Sequence, residues 1–223
     1  MNVSMCMTRR PITIRPDTPL VEAAALMAKH RIRRLLVAET RSEVVHLLGI
    51  ITANDILHAF PPDVNPFAVI VAQAATDSSL TAAKIMRRDL LTTSPDAPIE
   101  EAAAVMRDKK IGSLPVLREK QLVGLITESD IFRAFVGLFD VQGRGARITF
   151  DVSKGEDVFG LVGQLSQKHG VFVNSLIRGV QDNQPICVTR VSGDRVDDFL
   201  DEIWNSGHRV MNVIRFSRLA NDE

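Results

Sequence analysis

A block of sequence that opens at Met7 returns at Met86, and this internal repeat constrains the fold more than any local propensity does. Met7-Thr8-Arg9-Arg10 aligns with Met86-Arg87-Arg88-Asp89. Ile12-Thr13-Ile14-Arg15-Pro16-Asp17-Thr18-Pro19-Leu20 aligns with Leu91-Thr92-Thr93-Ser94-Pro95-Asp96-Ala97-Pro98-Ile99 at the same offset. The offset holds through Glu22-Ala23-Ala24-Ala25-Leu26-Met27 against Glu101-Ala102-Ala103-Ala104-Val105-Met106, and through 32–37 against 111–116. Gly49-Ile50-Ile51-Thr52-Ala53-Asn54-Asp55-Ile56 then matches Gly124-Leu125-Ile126-Thr127-Glu128-Ser129-Asp130-Ile131, so the first copy is longer in between. A length difference of that kind belongs in a hairpin tip.

Within each copy the hydrophobic period changes type. Residues 12–14 form a short β-branched run closed by a Pro-Asp turn, and 20–29 places Val21, Ala24, Ala25 and Met27 at helical spacing. Asp17 or Thr18 is the expected N-cap, with Pro19 the first helical residue. Apolar runs at 35–38 and 47–51 read as paired strands joined across 39–43, and a helix follows over about 54–60. The unit is β-α-β-β-α. One copy alone would leave a sheet face uncovered, so two copies packed face to face make the stable module. Pro61, Pro62 and Pro66 mark the linker between copies, and 76–86 is expected to resume as a short helix.

Composition narrows the function classes. Lys plus Arg and Asp plus Glu balance at 27 each, which gives no general attraction to nucleic acid or an anionic membrane, so an anion must be held locally. Cys6 and Cys187 lie far apart and read as reduced cytosolic thiols. The longest apolar stretch, 66–75, contains Gln73 and falls short of the roughly 20 residues a membrane span needs. A cytoplasmic protein is expected, with no nucleic-acid or membrane partner.

The repeated block resembles the CBS domain, whose pattern combines this strand, the Pro-Asp turn, the Ala-rich helix, an Ile-x-x-Leu-Pro-Val strand and a closing Gly-hydrophobic-hydrophobic-Thr-x-x-Asp. The resemblance implies two clefts between the repeats, each able to hold an adenosine-containing ligand such as AMP, ADP, ATP or S-adenosylmethionine. It assigns Thr52 and Asp55 in the first copy, and Thr127 and Asp130 in the second, as a helix-start and ribose-binding pair, and Ile32 and Ile111 as the positions that sandwich adenine. The chemistry of these residues agrees. Thr52 can cap the following helix while backbone N–H groups face a phosphate, and a carboxylate at Asp55 or Asp130 can accept both hydrogen bonds of a ribose diol. Thr-x-x-Asp is equally an ordinary helix start. The copies are unequal: the second has Gly112-Ser113-Leu114-Pro115 where the first has Arg33-Arg34-Leu35-Leu36. Arg31, Arg33 and Arg34 can reach a phosphate or form a solvated basic edge.

After a glycine-spaced break at 137–145 the pattern changes. Strands at 147–152, 172–177, 186–191 and 209–214 alternate with helices at 156–169 and 195–205, which is β-α-β-β-α-β, the ferredoxin-like arrangement. The order and length resemble an ACT domain, and with a CBS pair they resemble the AcuB-type acetoin-utilisation accessory proteins. That resemblance implies association through sheets and an amino-acid ligand at the shared edge; Gly155 fits the turn where such ligands sit and equally fits a tight turn for steric reasons alone.

The expected class is therefore α+β: CBS repeat 1 at 1–60, a linker at 61–75, CBS repeat 2 at 76–138, a linker at 139–145, an ACT-like domain at 146–216 and a tail at 217–223. His30, His46, His58, His169 and His208 are scattered, neither cysteine has a near partner, and no nucleophile motif is present, so metal: none and catalytic: none are the readings. Trp204 and Phe199 read as core material of one helix face. The function expected is a non-catalytic, allosteric regulatory sensor with no required cofactor, acting as a homodimer or higher on an unidentified protein target. The alternatives are a structural or oligomerisation module with unoccupied clefts, and an amino-acid sensor working through the ACT-like domain.

Overall fold

The computed structural model describes residues 1–41, 44–62, 64–67, 80–139 and 144–216. Residues 42–43 of the connection expected at 39–43, most of the linker at 61–75, the start of the helix expected at 76–86, Gly143 and the tail at 217–223 lie outside the described residues, while 39–41 continue the strand. The chain divides into two compact units, Met1–Arg133 and Ala134–Glu223.

In the first unit each copy builds a three-stranded sheet. The first copy pairs β2 (Thr13–Ile14) parallel to β3 (Arg34–Arg41), which runs antiparallel to β4 (Val44–Thr52). The second pairs β5 (Ser113–Arg118) antiparallel to β6 (Gln121–Thr127). Both hairpins shift register at the same repeat position, between Val37 and Ala38 and between Val116 and Leu117. Alternation along the strands divides the side chains between two cores. Leu35, Val37 and Ile51 face α2 (Leu20–His30) and α3 (Ala53–Ala59), while Leu36 and Ile50 meet Leu122 of the other copy, with Leu47, Leu117 and Leu125 packed around them. The face left open by one copy is thus closed by the other.

The helix α2 differs from expectation in detail. It begins at Leu20 with Pro19 as N-cap, and it buries Leu20, Ala23, Ala24 and Met27, an i, i+3, i+4, i+7 stripe that leaves Ala25 exposed. Thr18 does not cap the helix; its hydroxyl accepts from the Arg15 N–H in the preceding turn. The equivalent α5 (Ile99–Lys109) buries Ala102 and Met106.

The leading segments of the copies are exchanged. The short helix α1 (Val3–Cys6) and strand β1 (Thr8–Arg9) precede the first copy, yet β1 pairs with β6 and Val3 is buried in the core of the second copy. Reciprocally, α4 (Ala82–Ile85) precedes the second copy but buries Ala82 in the core of the first, and Arg87 bridges to Ile50. Two glycines explain why the repeat needs Gly here. A β-carbon on Gly49 would stand 2.7 Å from Met86 Sδ, and one on Gly124 would stand 2.5 Å from Met7 Sδ. Each arm methionine packs on the backbone of a β-strand that has no side chain at that point.

The second unit has the order β7 (Gly145–Asp151), α7 (Val158–His169), β8 (Phe172–Gln181), β9 (Gln184–Ser192), α8 (Val196–Asn205), β10 (Val210–Phe216). Its four strands are antiparallel in the order β10-β7-β9-β8. Ala146, Ile148, Phe150, Cys187 and Val191 on one sheet face meet Val158 and Val162 of α7 and Val196, Phe199, Leu200 and Ile203 of α8. Trp204 is not core: it is 56% exposed while Phe199 is fully buried, because a spacing of five residues turns about 140° around a helix. Gly155 occupies a turn at φ +81°, a left-handed conformation that favours glycine for backbone reasons alone.

Candidate functional site

Two clefts open within the first unit, and each draws its lining from both copies. Ile32 and Ile111 are delivered by identical helix ends. After α2, Arg31 adopts φ 53° and the Ile32 N–H donates to the Met27 carbonyl; after α5, Lys110 adopts φ 54° and the Ile111 N–H donates to the Met106 carbonyl. This left-handed C-terminal turn reverses the chain and aims the following isoleucine at a cleft.

The Thr-x-x-Asp segments are capping boxes. Thr52 Oγ1 accepts from the Asp55 N–H at 3.2 Å, while Asp55 Oδ2 accepts from the Thr52 N–H at 2.9 Å and from its hydroxyl at 2.7 Å. Thr127 and Asp130 repeat this with distances of 3.3, 2.9 and 2.7 Å. The first helical N–H groups are also taken: Ala53 donates to the Arg33 carbonyl and Glu128 to the Gly112 carbonyl. The expected phosphate seat on these helix N-termini is therefore largely occupied by the chain's own acceptors, because the cap and the neighbouring strand satisfy the donors first.

Each cleft draws on both copies, as clefts between the repeats must. Ile32 of the first copy lines a cleft with Thr127 and Asp130 of the second, together with Thr8, Pro11, Ile12, Leu125 and Ser129; this cleft encloses about 360 Å³. Ile111 of the second copy lines the other, of about 270 Å³, with Thr52 of the first. Asp55 is not among the lining residues of either. Its Oδ1 instead pairs with Arg87 Nη2 at 2.9 Å, and Arg87 does line the smaller cleft. Burial is the largest influence on the Asp55 carboxyl and pushes its pKa up, but the bonds from the Thr52 hydroxyl, Arg87 and the Thr52 N–H together hold it below the ordinary aspartate value.

Asp130 is buried, and one of its oxygens faces a cation: Oδ1 accepts from Arg133 Nη1 at 3.0 Å. A carboxylate oxygen has two lone-pair sites, so Oδ1 retains capacity for one further donor.

Among the described residues, the larger cleft gathers Arg10, Arg31, Arg33, Arg34 and Arg133 around one carboxylate, that of Asp130. Of the two readings open for the first copy's arginines, the structure places all three beside Thr127 and Asp130. Arg10 and Arg133 lay outside the signal, since their positions follow from the exchanged β1 arm and from the second turn of α6 (Glu128–Phe139). Arg34 borders both clefts. Burial, then the neighbouring Arg33, lower its pKa, with Glu128 opposing, and an arginine so shifted still carries its charge.

Among the described residues there is no group of three or more His, Cys, Asp or Glu able to hold a metal, and no helix long and apolar enough to cross a membrane. Cys6 and Cys187 are free, and burial pushes the Cys187 thiol up.

These features coincide with comparisons to known proteins. The chain is 30% identical over 132 residues to L-aspartate semialdehyde sulfurtransferase of Methanocaldococcus jannaschii, covering 59% of this chain but 22% of that protein. The shared part is thus a minor fraction of that relative. A putative acetoin utilization protein (AcuB) from Vibrio cholerae superposes with a TM-score of 0.50 at 29% identity, over 62% of this chain and 93% of that one. CBSX2, whose crystal structure is a complex with AMP, superposes with a TM-score of 0.50 at 21% identity over 62% of this chain and 98% of its own, a likeness of fold. The CBS domain model matches residues 3–62 and 82–137, over half of the sequence, and the chain belongs to the CBS-domain family.

Proposed function

We propose that this chain is a non-catalytic regulatory sensor that binds an adenosine-containing ligand in its CBS clefts and passes the occupancy to a partner protein. The observation that carries the reading is the larger cleft, where the apolar Ile32, the buried Asp130 and five arginines face one space. An apolar side chain can cover a base, a carboxylate oxygen can accept from ribose, and guanidinium groups can clamp phosphate bidentately. Within the set AMP, ADP, ATP and S-adenosylmethionine, the excess of positive charge favours the phosphorylated members over a sulfonium cation.

We extend the reading to a cytoplasmic homodimer or larger assembly, and to an ACT-like role for the second unit, whose strand order β10-β7-β9-β8 is that of the ferredoxin-like arrangement. Acetoin utilisation is the proposed setting, supported by the likeness to the Vibrio cholerae structure.

A thermal-shift panel of AMP, ADP, ATP, S-adenosylmethionine, NAD and amino acids tests the proposal. A ligand at 100 times its dissociation constant adds about 2.7 kcal/mol to stability. At least one adenine nucleotide raises Tm and S-adenosylmethionine raises it less; a flat response to every adenosine compound would leave a structural module.

A further inference from the structure

We infer that Arg34 is shared between the two clefts and serves the phosphate of one bound nucleotide at a time, so that filling one cleft weakens nucleotide binding in the other. The inference rests on the sensor reading above and adds a coupling between its two sites. Arg34 lines the larger cleft with Ile32, Thr127 and Asp130, and it also lines the smaller one with Thr52, Arg87 and Ile111. Both clefts lie within the first unit.

The repeat explains how one side chain comes to border both. Arg34 corresponds to Ser113, and Arg33 to Gly112. Arg34 and Ser113 each open a central strand, β3 and β5, and each is aligned across its hairpin with a cap threonine, Thr52 or Thr127. Ser113 is short and buried, and it lines the smaller cleft. Arg34 is long, and the missing side chain at Gly112 leaves room for its guanidinium beside the second copy, since a β-carbon there would overlap Arg34 Nη2. Glu128, the residue after Thr127, crowds the same point. The unequal sequences of the copies thus place one half-buried cation where a phosphate from either side can take it.

A guanidinium clamps a phosphate through two parallel N–H bonds, and this fork faces one direction at a time. Once turned to a phosphate in one cleft, Arg34 presents neither the fork nor its full charge to the other, and the first ligand's negative charge opposes the second. The coupling is reciprocal: whichever cleft fills first weakens the other by the same factor.

Calorimetric titration of the full chain with ATP tests the sharing. Ser129→Trp closes the larger cleft and Leu91→Trp the smaller; both positions line their cleft and are exposed, so the added bulk spares the core. Should a tryptophan leave its cleft open, Glu at that position repels the phosphate instead. In each blocked chain, Arg34→Met should weaken ATP binding about tenfold or more, while adenosine, which carries no phosphate, binds as before. In the unblocked chain the same substitution should lower the product of the two association constants by less than the two separate losses multiplied together, because one guanidinium serves one phosphate at a time. Unchanged ATP affinity on Arg34→Met in either blocked chain would assign Arg34 to the other cleft alone and overturn the sharing. A combined loss as large as the two multiplied would also overturn it, and equal weakening of adenosine would make Arg34 a structural residue. A folded blocked chain that binds no ATP in its open cleft would overturn the coupling and leave the sensor reading standing, whereas no adenosine compound binding to the parent chain would overturn both.

Discussion

Gly112 lies directly against the guanidinium of Arg34, so close that a β-carbon at 112 would overlap Arg34 Nη2 and crowd Glu128 Oε2 at 2.9 Å. The residue that distinguishes the second copy's central strand entry from the first copy's Arg33-Arg34 is therefore the one that makes room for it. The two unequal copies are complementary, and Arg34 sits where both clefts can feel it.

Gly112→Ala should accordingly displace Arg34. Because one atom of the clash is the end of a flexible side chain, the stability cost should be near the lower end of the about 1–3 kcal/mol of overpacking. Nucleotide affinity should fall at whichever cleft is occupied. Chemical denaturation and calorimetry on the one variant check both parts.

Met86→Ala should cost about 2–5 kcal/mol, the range for emptying a buried methionine site, since Met86 is 8% exposed and packs on Gly49. Urea denaturation measures it. A cost near zero would mean the exchanged arm contributes little to holding the first copy's core.

Asp55 supplies a pH dependence with a definite sign. Its folded pKa lies below the unfolded value of about 3.9, so its stabilisation is present above about pH 4 and disappears as pH falls through the lower folded value. Asp55→Asn should be destabilised at neutral pH and should converge on the parent protein in acid. Stability curves taken between pH 2 and 7 by roughly unit steps would show it.

Arg31→Gly separates folding from binding. The position needs φ 53°, which glycine adopts without strain, so stability should be unchanged or higher by up to about 1 kcal/mol. Phosphate-bearing ligands should nonetheless bind more weakly, because one of the five cleft arginines is gone. Thermal unfolding and nucleotide titration should therefore move in opposite directions.

How much of this was legible in the sequence depends on range. The repeat predicted β3, β4, β5 and β6, because alternating apolar residues and a Gly-Ile-Ile-Thr ending are local patterns. The capping boxes at Thr52 and Thr127 followed from residues three apart. What the sequence did not reveal was partnership between distant segments. Nothing in the period of residues 1–9 says that they pair with β6, 115 residues or more along the chain. The same gap hid the Asp55–Arg87 ion pair and which residues of the two copies share a cleft, Ile32 with Asp130 in the larger one. Trp204 was misplaced for a local reason, since its spacing from Phe199 was read as one face when it spans two.

The account stands most directly on the larger cleft being one site built by two copies. Calorimetric titration of ATP into the parent protein, Arg33→Ala and Asp130→Asn tests this, with circular dichroism confirming that each variant is folded. Losing a hydrogen bond to a charged partner costs about 1.5–3 kcal/mol, a tenfold or greater loss of affinity. Both variants, although in different repeats, should show that loss at the same binding event; ATP binding that survives either substitution unchanged would contradict the composite site.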